Sequence, residues 1–378
     1  MLIAVISGFI FALVIPMIMG KLKGKSTIWV ALLPFSIFGF FLSKLPILLA
    51  GDTINSSYQW VPSIGINLDF HLDGLSFLFV LLISGIGTLV FVYTSSYLKG
   101  HQYLDRFYAY LSMFMASMLG LVLSDNIYAL FIFWELTSIS SFFLIGFNND
   151  NPDSRKSAIT ALAITGFGGL FLMAAMVGLG QITGTSQISA LIPLTNSIQS
   201  HELYGWVLVF LFIAAFTKSA QFPFHFWLPG AMKAPTPVST YLHSATMVKA
   251  GIYLLARFTP VLGNHEWWNS TLIIVGAITM TYAAIHALFR LDLKGILAYS
   301  TISALGILVF LIGLGTKDAL LAAAVFILVH ALYKATLFLV TGIIDHETGT
   351  RDIRQLGGLN KVMLPVGIAA ILAAISHT

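Results

Sequence analysis

The chain has no cysteine among its 378 residues. That excludes disulfides, thiolate-bound zinc and iron–sulfur clusters held by cysteine. Charge is also scarce: Asp, Glu, Lys and Arg together make up 9% of the residues, against about 25% in soluble domains. There is no Walker sequence and no dinucleotide fingerprint. Gly166-Phe-Gly-Gly169 lies inside an apolar run and reads as small-residue packing rather than a phosphate loop. The sequence therefore implies no cofactor, and an ion gradient or a partner subunit must supply the energy. The isoelectric point near 9.1 comes from loop lysines and arginines and needs no nucleic acid to explain it.

What is abundant is apolar surface: 58% of residues are hydrophobic and the mean hydropathy is +0.91. The apolar runs are continuous and long enough to span a bilayer, unlike the short alternating strands of a barrel. The expected fold class is an all-α polytopic membrane protein. Spans are expected near 1–20, 26–49, 74–97, 107–124, 126–147, 157–182, 203–221, 238–258, 270–289, 295–315 and 318–344, with a twelfth from about Val362. The first has no basic stretch before it and is followed by Lys21, Lys23 and Lys25, so it reads as a transmembrane helix rather than a signal peptide. The longest polar piece, 51–73, alternates enough to form a small hairpin outside the membrane.

The basic residues test this topology. If the loop after the first span is cytoplasmic, loops on that side hold 13 of the 19 basic residues, Lys294 among them. The opposite side holds Lys44, Arg257 and Lys317. The bias fits the positive-inside rule and places the N-terminus outside. The lysines left over are Lys218, Lys249 and Lys334, deep within apolar segments, and Glu135 is the acid in the same position. Asp73 and Asp125 fall at span edges. A charge at the bilayer centre costs about 2.5–3.5 kcal/mol on insertion scales and 10 or more in simulations, so such residues mark ion or proton paths.

Local patterns add to this. Pro223 follows Lys218 by five residues and interrupts the seventh span. Short half-helices with freed backbone groups are where transporters build ion sites. A second break is expected near Pro235 and Pro237, which open the eighth span. Glu135 can pair with a lysine on a neighbouring helix, and Lys218 is the favoured proton carrier. His243 and Lys249 are six apart, which on a continuous helix puts them on different faces of one curved path, whereas His330 and Lys334 are four apart and share a face. Against the relay stands a plainer reading, in which these are static ion pairs, snorkelling lysines and interhelical hydrogen bonds. His286, four residues before Arg290, reads as structural, and His225 as a candidate lining residue.

Five motifs then carry a resemblance: Leu72-Asp-Gly-Leu-Ser76, Phe133-Trp-Glu-Leu-Thr-Ser138, Lys218-Ser-Ala-Gln-Phe-Pro-Phe-His225, Ala234-Pro-Thr-Pro-Val-Ser239 and His243-Ser-Ala-Thr-Met-Val-Lys249. With Leu293-Lys-Gly-Ile-Leu-Ala-Tyr-Ser-Thr-Ile-Ser303 and His330-Ala-Leu-Tyr-Lys334, the chain resembles the antiporter-like subunits shared by respiratory complex I and Mrp-type cation/proton antiporters. The run after Glu135, up to Gly146, is most similar to the large A subunit of the Mrp type.

The resemblance implies two inverted five-helix repeats. N-terminal helices and the hairpin occupy 1–106, a complete first repeat 107–258, and an incomplete second repeat 259–378, so the chain reads as an N-terminal fragment or a truncated copy. It further implies that Glu135 and Lys218 are a coupled pair, and that Lys249, His243, His330 and Lys334 form the relay onward. The implied setting is a bacterial cell membrane, with other membrane subunits as partners and H+ and Na+, or K+ or Li+, as cargo. Lysines cannot ligate Na+, so acids, carbonyls or a partner must do so, and the cation ligands stay unassigned. Two other readings stand beside antiport: a proton-pumping subunit of a complex I-like oxidoreductase or membrane hydrogenase, and a structural subunit that no longer transports.

Overall fold

A computed structural model describes residues 1–21 and 27–376, so Lys23 and Lys25 lie outside the described residues. The architecture is helical apart from one hairpin. Helix α1 (Leu2–Lys21) is followed by a 3-10 turn, α2 (Leu32–Leu42) and α3 (Leu45–Leu49). The second expected span is thus three pieces in series, with Pro46 opening the last. Strands β1 (Ile54–Val61) and β2 (Ile66–Leu72) pair antiparallel with Ile54 opposite Leu72, as the alternation predicts. Then come α4 (Gly74–Tyr97), α5 (Leu104–Leu123), α6 (Ile127–Ile145) and α7 (Pro152–Thr183). Short α8 (Thr195–Gln199) precedes α9 (Tyr204–Lys218), α10 (Trp227–Ala231), α11 (Thr236–Thr240) and α12 (Ala250–Leu262). The chain closes with α13 (Glu266–Leu288), α14 (Leu293–Leu314), α15 (Lys317–Thr348), α16 (Leu359–Val362) and α17 (Leu364–Ile375).

Nine helical segments among the described residues are long and apolar enough to cross a membrane. The seventh and eighth expected spans fall outside that set because both are broken, and the twelfth because α17 has only 12 residues. Helix limits follow capping chemistry. Asn126, Asn151, Asp292 and Thr316 each accept a backbone N–H at the start of α6, α7, α14 and α15. Helices α7 and α15 both stop at a glycine of positive φ, Gly184 and Gly349. The hairpin is seated on the α5–α6 turn: Asp125 N–H donates to Asp69 O at 2.8 Å, and Asn126 Nδ2 donates to Gly65 O at 3.0 Å.

The broken eighth segment forms the axis of the core. Every residue from 234 to 255 is buried, with α4, α14 and α15 packed around it. Helices α13 and α14 lie side by side and meet backbone to backbone. A Cβ on Gly306 would fall 2.5 Å from Met280 N, and one on Gly276 would fall 2.6 Å from Phe310 N. Neither backbone nitrogen can swing aside. Gly306→Val is therefore expected to cost about 1–3 kcal/mol or more. Immunoblots of membranes should show it as reduced accumulation; an unchanged level would mean that the two helices can slide apart.

Asp73, at a span edge, has a structural role. Its carboxylate caps α4 through Ser76 N–H in a reciprocal capping box. It also takes both guanidinium nitrogens of Arg257 on α12, at 2.7 and 2.9 Å. Burial pushes this carboxyl upward, but hydrogen bonds from His71 and Arg257 and the charge of Arg257 outweigh it, holding the group well below the usual carboxylate range. A depressed folded-state value means the pair's stabilisation is complete above about pH 4 and is lost as pH falls through the folded value. Asp73→Asn should cost about 2–3 kcal/mol at neutral pH and flatten that acid limb. Thermal melts of the purified protein at pH 7 and below 4 measure both.

Candidate functional site

The site is built on two interrupted segments. Helix α9 ends at Lys218, and Ala220 takes a positive φ of 48°. Gln221 N–H donates to Phe216 O rather than to Thr217 O. The Thr217 carbonyl is taken instead by the Trp227 indole N–H at 2.9 Å. This break lies where Pro223 predicts one. The break expected near Pro235 and Pro237 is the gap between α10 and α11, and a further one lies beyond it. Pro235 and Pro237 open α11, positions where proline costs little. The chain then makes a π-turn over Tyr241–Ala245, breaks at Thr246 (φ −130°, ψ −95°), and resumes as a 3-10 turn over Met247–Lys249. His243 and Lys249 therefore lie on opposite sides of a break, and the spacing of a continuous helix does not apply to them. Ser219 Oγ donates to Val248 O at 2.7 Å and ties this break to the one after Lys218.

Lys218 is fully buried. Its Nζ donates to Trp134 O at 3.1 Å and Ser138 Oγ at 2.7 Å, and lies 5.0 Å from the Trp134 ring. All three contacts are on α6, one and three residues from Glu135. Glu135 itself turns towards α7. A Cβ on Gly169 would sit 1.7 Å from its Oε1, so the missing side chain makes room for the carboxylate. That oxygen is buried without a hydrogen-bond partner. The two groups are within Coulombic range, but no ion pair joins them among the described residues. The glycines read as plain packing thus shape the acid's position: Gly168 receives Thr217 and Gly169 receives Glu135.

A second group centres on α15. Lys249, fully buried, donates from Nζ to Ile327 O at 3.0 Å. Ile327, His330 and Lys334 follow i, i+3, i+7 spacing and share a face. Lys334 Nζ bonds Ser300 Oγ on α14 and lies 5.5 Å from the Tyr333 ring. The structure thus brings Lys249 to the face that carries His330 and Lys334. His243 sits in the π-turn, buried between the rings of Trp227 and Phe338, each 6.4 Å away, and both its ring nitrogens lack a hydrogen-bond partner.

Lys294, assigned to a cytoplasmic loop from sequence, is buried in the first turn of α14. Its Nζ donates to Ala234 O at 2.9 Å, and its charge reaches His243. A signal for this was available. Asp292 marks a helix start, and a lysine two residues in opposes the helix dipole, which calls for a specific partner. His225 and His286 stand apart from the relay. Both contact the Tyr282 ring, His225 edge-on at 4.7 Å and His286 tilted at 4.0 Å, and His286 Nδ1 meets Tyr282 O at 2.9 Å, as a structural reading of His286 implies. No cluster of three or more His, Asp or Glu suited to a metal ion is present among the described residues.

Residues 124–377 match the family described as NADH:quinone oxidoreductase/Mrp antiporter, transmembrane region. Residues 60–108 match the N-terminus of chain 5 of complex I NADH-ubiquinone oxidoreductase. The chain is 45% identical to Na(+)/H(+) antiporter subunit A1 of Staphylococcus aureus over 99% of its own length and 48% of that protein. It spans about half the length of the curated relatives it matches. Its fold superposes on a chain of the Mrp complex from Dietzia sp. DQ12-45-1b with a TM-score of 0.89 and 40% identity, covering 98% of this chain and 40% of that one. A chain of an archaeal membrane-bound sulfane sulfur reductase shares the fold alone, with a TM-score of 0.87 and 23% identity over 99% of this chain and 77% of that one.

Proposed function

The chain belongs to the NADH:quinone oxidoreductase/Mrp antiporter family, and from that premise we propose that it acts as the proton-translocating part of a multisubunit Na+/H+ antiporter. The observation that carries this reading is the fully buried Lys218 amine at the end of α9. It is anchored to the α6 carbonyl of Trp134, one residue from a carboxyl oxygen with no partner. A buried amine and an acid with one buried oxygen, within Coulombic range, are a pair whose proton can be shared or passed on.

In this reading a proton moves between Glu135 and Lys218, crosses the tied breaks to Lys249 or the unpartnered His243, and continues along His330 and Lys334 on α15. Lys294 sets the electrostatic environment of His243. Inward proton flow drives Na+ outward. The Na+ ligands come from acids, carbonyls or a partner subunit, because lysines offer no lone pair while protonated.

The relatives' subunit naming supports placement in an Mrp-type complex in a bacterial cell membrane, with other membrane subunits as partners. The basic-residue bias supports an extracytoplasmic N-terminus. The shared lengths and caps of α7 and α15 (32 residues each, polar N-cap, glycine C-cap) support their being equivalent members of two repeats, over 107–258 and 259–378.

The test is cation-induced collapse of a pH gradient. Everted vesicles from an antiporter-deficient host would carry the full-length protein with its operon partners. Respiration acidifies them, and Na+ is then added. A collapse absent from vesicles lacking this gene supports antiport. An intact gradient, with the whole complex present in the membrane, overturns it.

A further inference from the structure

We infer that a groove between α9 and α13 binds a zwitterionic aminophospholipid, with two histidine N–H groups on its phosphate, Glu202 on its ammonium and an acyl chain between the helices. The groove encloses about 820 Å³, within the range of about 300–1,000 Å³ typical of ligand sites. Its lower wall is apolar: Leu208, Val209, Phe212, Ile213 and Phe216 run down α9. From Trp206 to Phe216 the wall is about 15 Å long. Trp206 and Trp267 stand at its upper end, 62% and 60% exposed. Paired tryptophans at the end of apolar helices mark the headgroup level of a bilayer.

The polar end has a defined donor pattern. His265 caps α13: its Nδ1 accepts the Trp267 N–H at 3.2 Å. His201 Nδ1 accepts the Leu203 N–H at 3.1 Å in the same manner. With Nδ1 an acceptor, each neutral ring carries its hydrogen on Nε2. Neither Nε2 has a hydrogen-bond partner among the described residues, and both rings line the groove. Tyr204 braces the His265 ring at 4.7 Å and spends its own hydroxyl on Leu262 O. Gln199 is likewise spent, on Gly263 O at 2.9 Å. The groups left over are the two histidine N–H donors, the indole N–H groups of Trp206 and Trp267, the Thr271 hydroxyl, and the carboxylate of Glu202, exposed at the rim and unpaired. That set matches a phosphodiester beside an ammonium. A purely anionic headgroup would meet the carboxylate with nothing to offset it.

The experiment uses the full-length protein assembled with its partner subunits in proteoliposomes. The probe is phosphatidylethanolamine carrying a diazirine on its acyl chain, competed with unlabelled phosphatidylethanolamine or phosphatidylglycerol. After irradiation, peptide mass spectrometry should place adducts on 204–216, with ethanolamine lipid competing better than glycerol lipid. His201→Asn with His265→Asn keeps the local caps, because asparagine accepts the same backbone N–H, but removes both distal donors. Labelling there should fall about 30-fold, the effect of losing two hydrogen bonds of ordinary net strength. Glu202→Gln should abolish the preference for ethanolamine. Labelling no denser on 204–216 than on α1, equal competition by the two lipids, or a groove labelled only when partner subunits are stripped away would each overturn the proposal. The last outcome would assign the groove to a protein partner.

Discussion

Lys218→Ala should abolish Na+-induced collapse of the pH gradient, a loss of at least about 100-fold, the lower end of what a positioned proton-transfer group contributes. The mutation removes a fully buried amine whose contacts are Trp134 O, Ser138 Oγ and the Trp134 ring. The fold should survive, because Trp134 O keeps its helical position in α6 and the Thr217 carbonyl at the break remains satisfied by Trp227. The companion variant Lys218→Arg decides what the amine does. A guanidinium keeps the positive charge and the donors but does not release its proton in any accessible range. If Lys218 is a fixed cation holding α9 against α6, arginine should restore much of the activity. If it carries protons, Lys218→Arg should be as inactive as Lys218→Ala while accumulating normally. Transport by the arginine variant at near wild-type rate would sink the relay at its first step.

Hydropathy and capping chemistry made several elements legible. The hairpin over 51–73 alternates, and Ile54–Val61 pairs with Ile66–Leu72. Pro223 marks the break after Lys218, and the three lysines isolated within apolar runs, Lys218, Lys249 and Lys334, are all buried. Proline marks the interruption between α10 and α11 that opens the eighth span, but not the distortion farther on. At Pro235 and Pro237 it starts a helix, while the distortion falls at Thr246, in a run that contains neither proline nor glycine. Two bonds accompany it: a local one, from Thr246 Oγ1 to Tyr241 O five residues back, and a tertiary one, from Ser219 Oγ to the Val248 carbonyl. No local pattern encodes the second partner. Lys294 was lost to a loop because counting charges by span treats every residue near an end as solvated. The absent ion pair between Glu135 and Lys218 was beyond sequence reading, since it depends on which face of α6 each group meets.

That geometry leads to the second large effect. Gly169→Ala should leave the protein folded and cut transport on the order of 100-fold. A Cβ at this position would lie 1.7 Å from Glu135 Oε1 and 2.7 Å from its Cδ. These are the far atoms of a flexible side chain, so the carboxylate can swing away and the helices need not part. Alanine also favours the helix by about 1 kcal/mol over glycine, so α7 itself is not weakened. What changes is the position of the acid, and a misplacement of about 1 Å in a reacting group can cost on the order of 100-fold in rate. Its neighbour supplies the contrast. A Cβ at Gly168 would meet Thr217 Oγ1 at 1.8 Å and Thr217 Cβ at 2.9 Å. Thr217 adjoins Lys218 at the end of α9 and its Cβ cannot rotate away, so Gly168→Ala should strain the break and lower the amount of protein in the membrane. Immunoblots and vesicle transport, run on both variants, separate position from folding. Gly169→Ala at normal abundance with undiminished antiport would mean that the carboxylate's place beside α7 does not matter, and Glu135 would then drop out of the proton path.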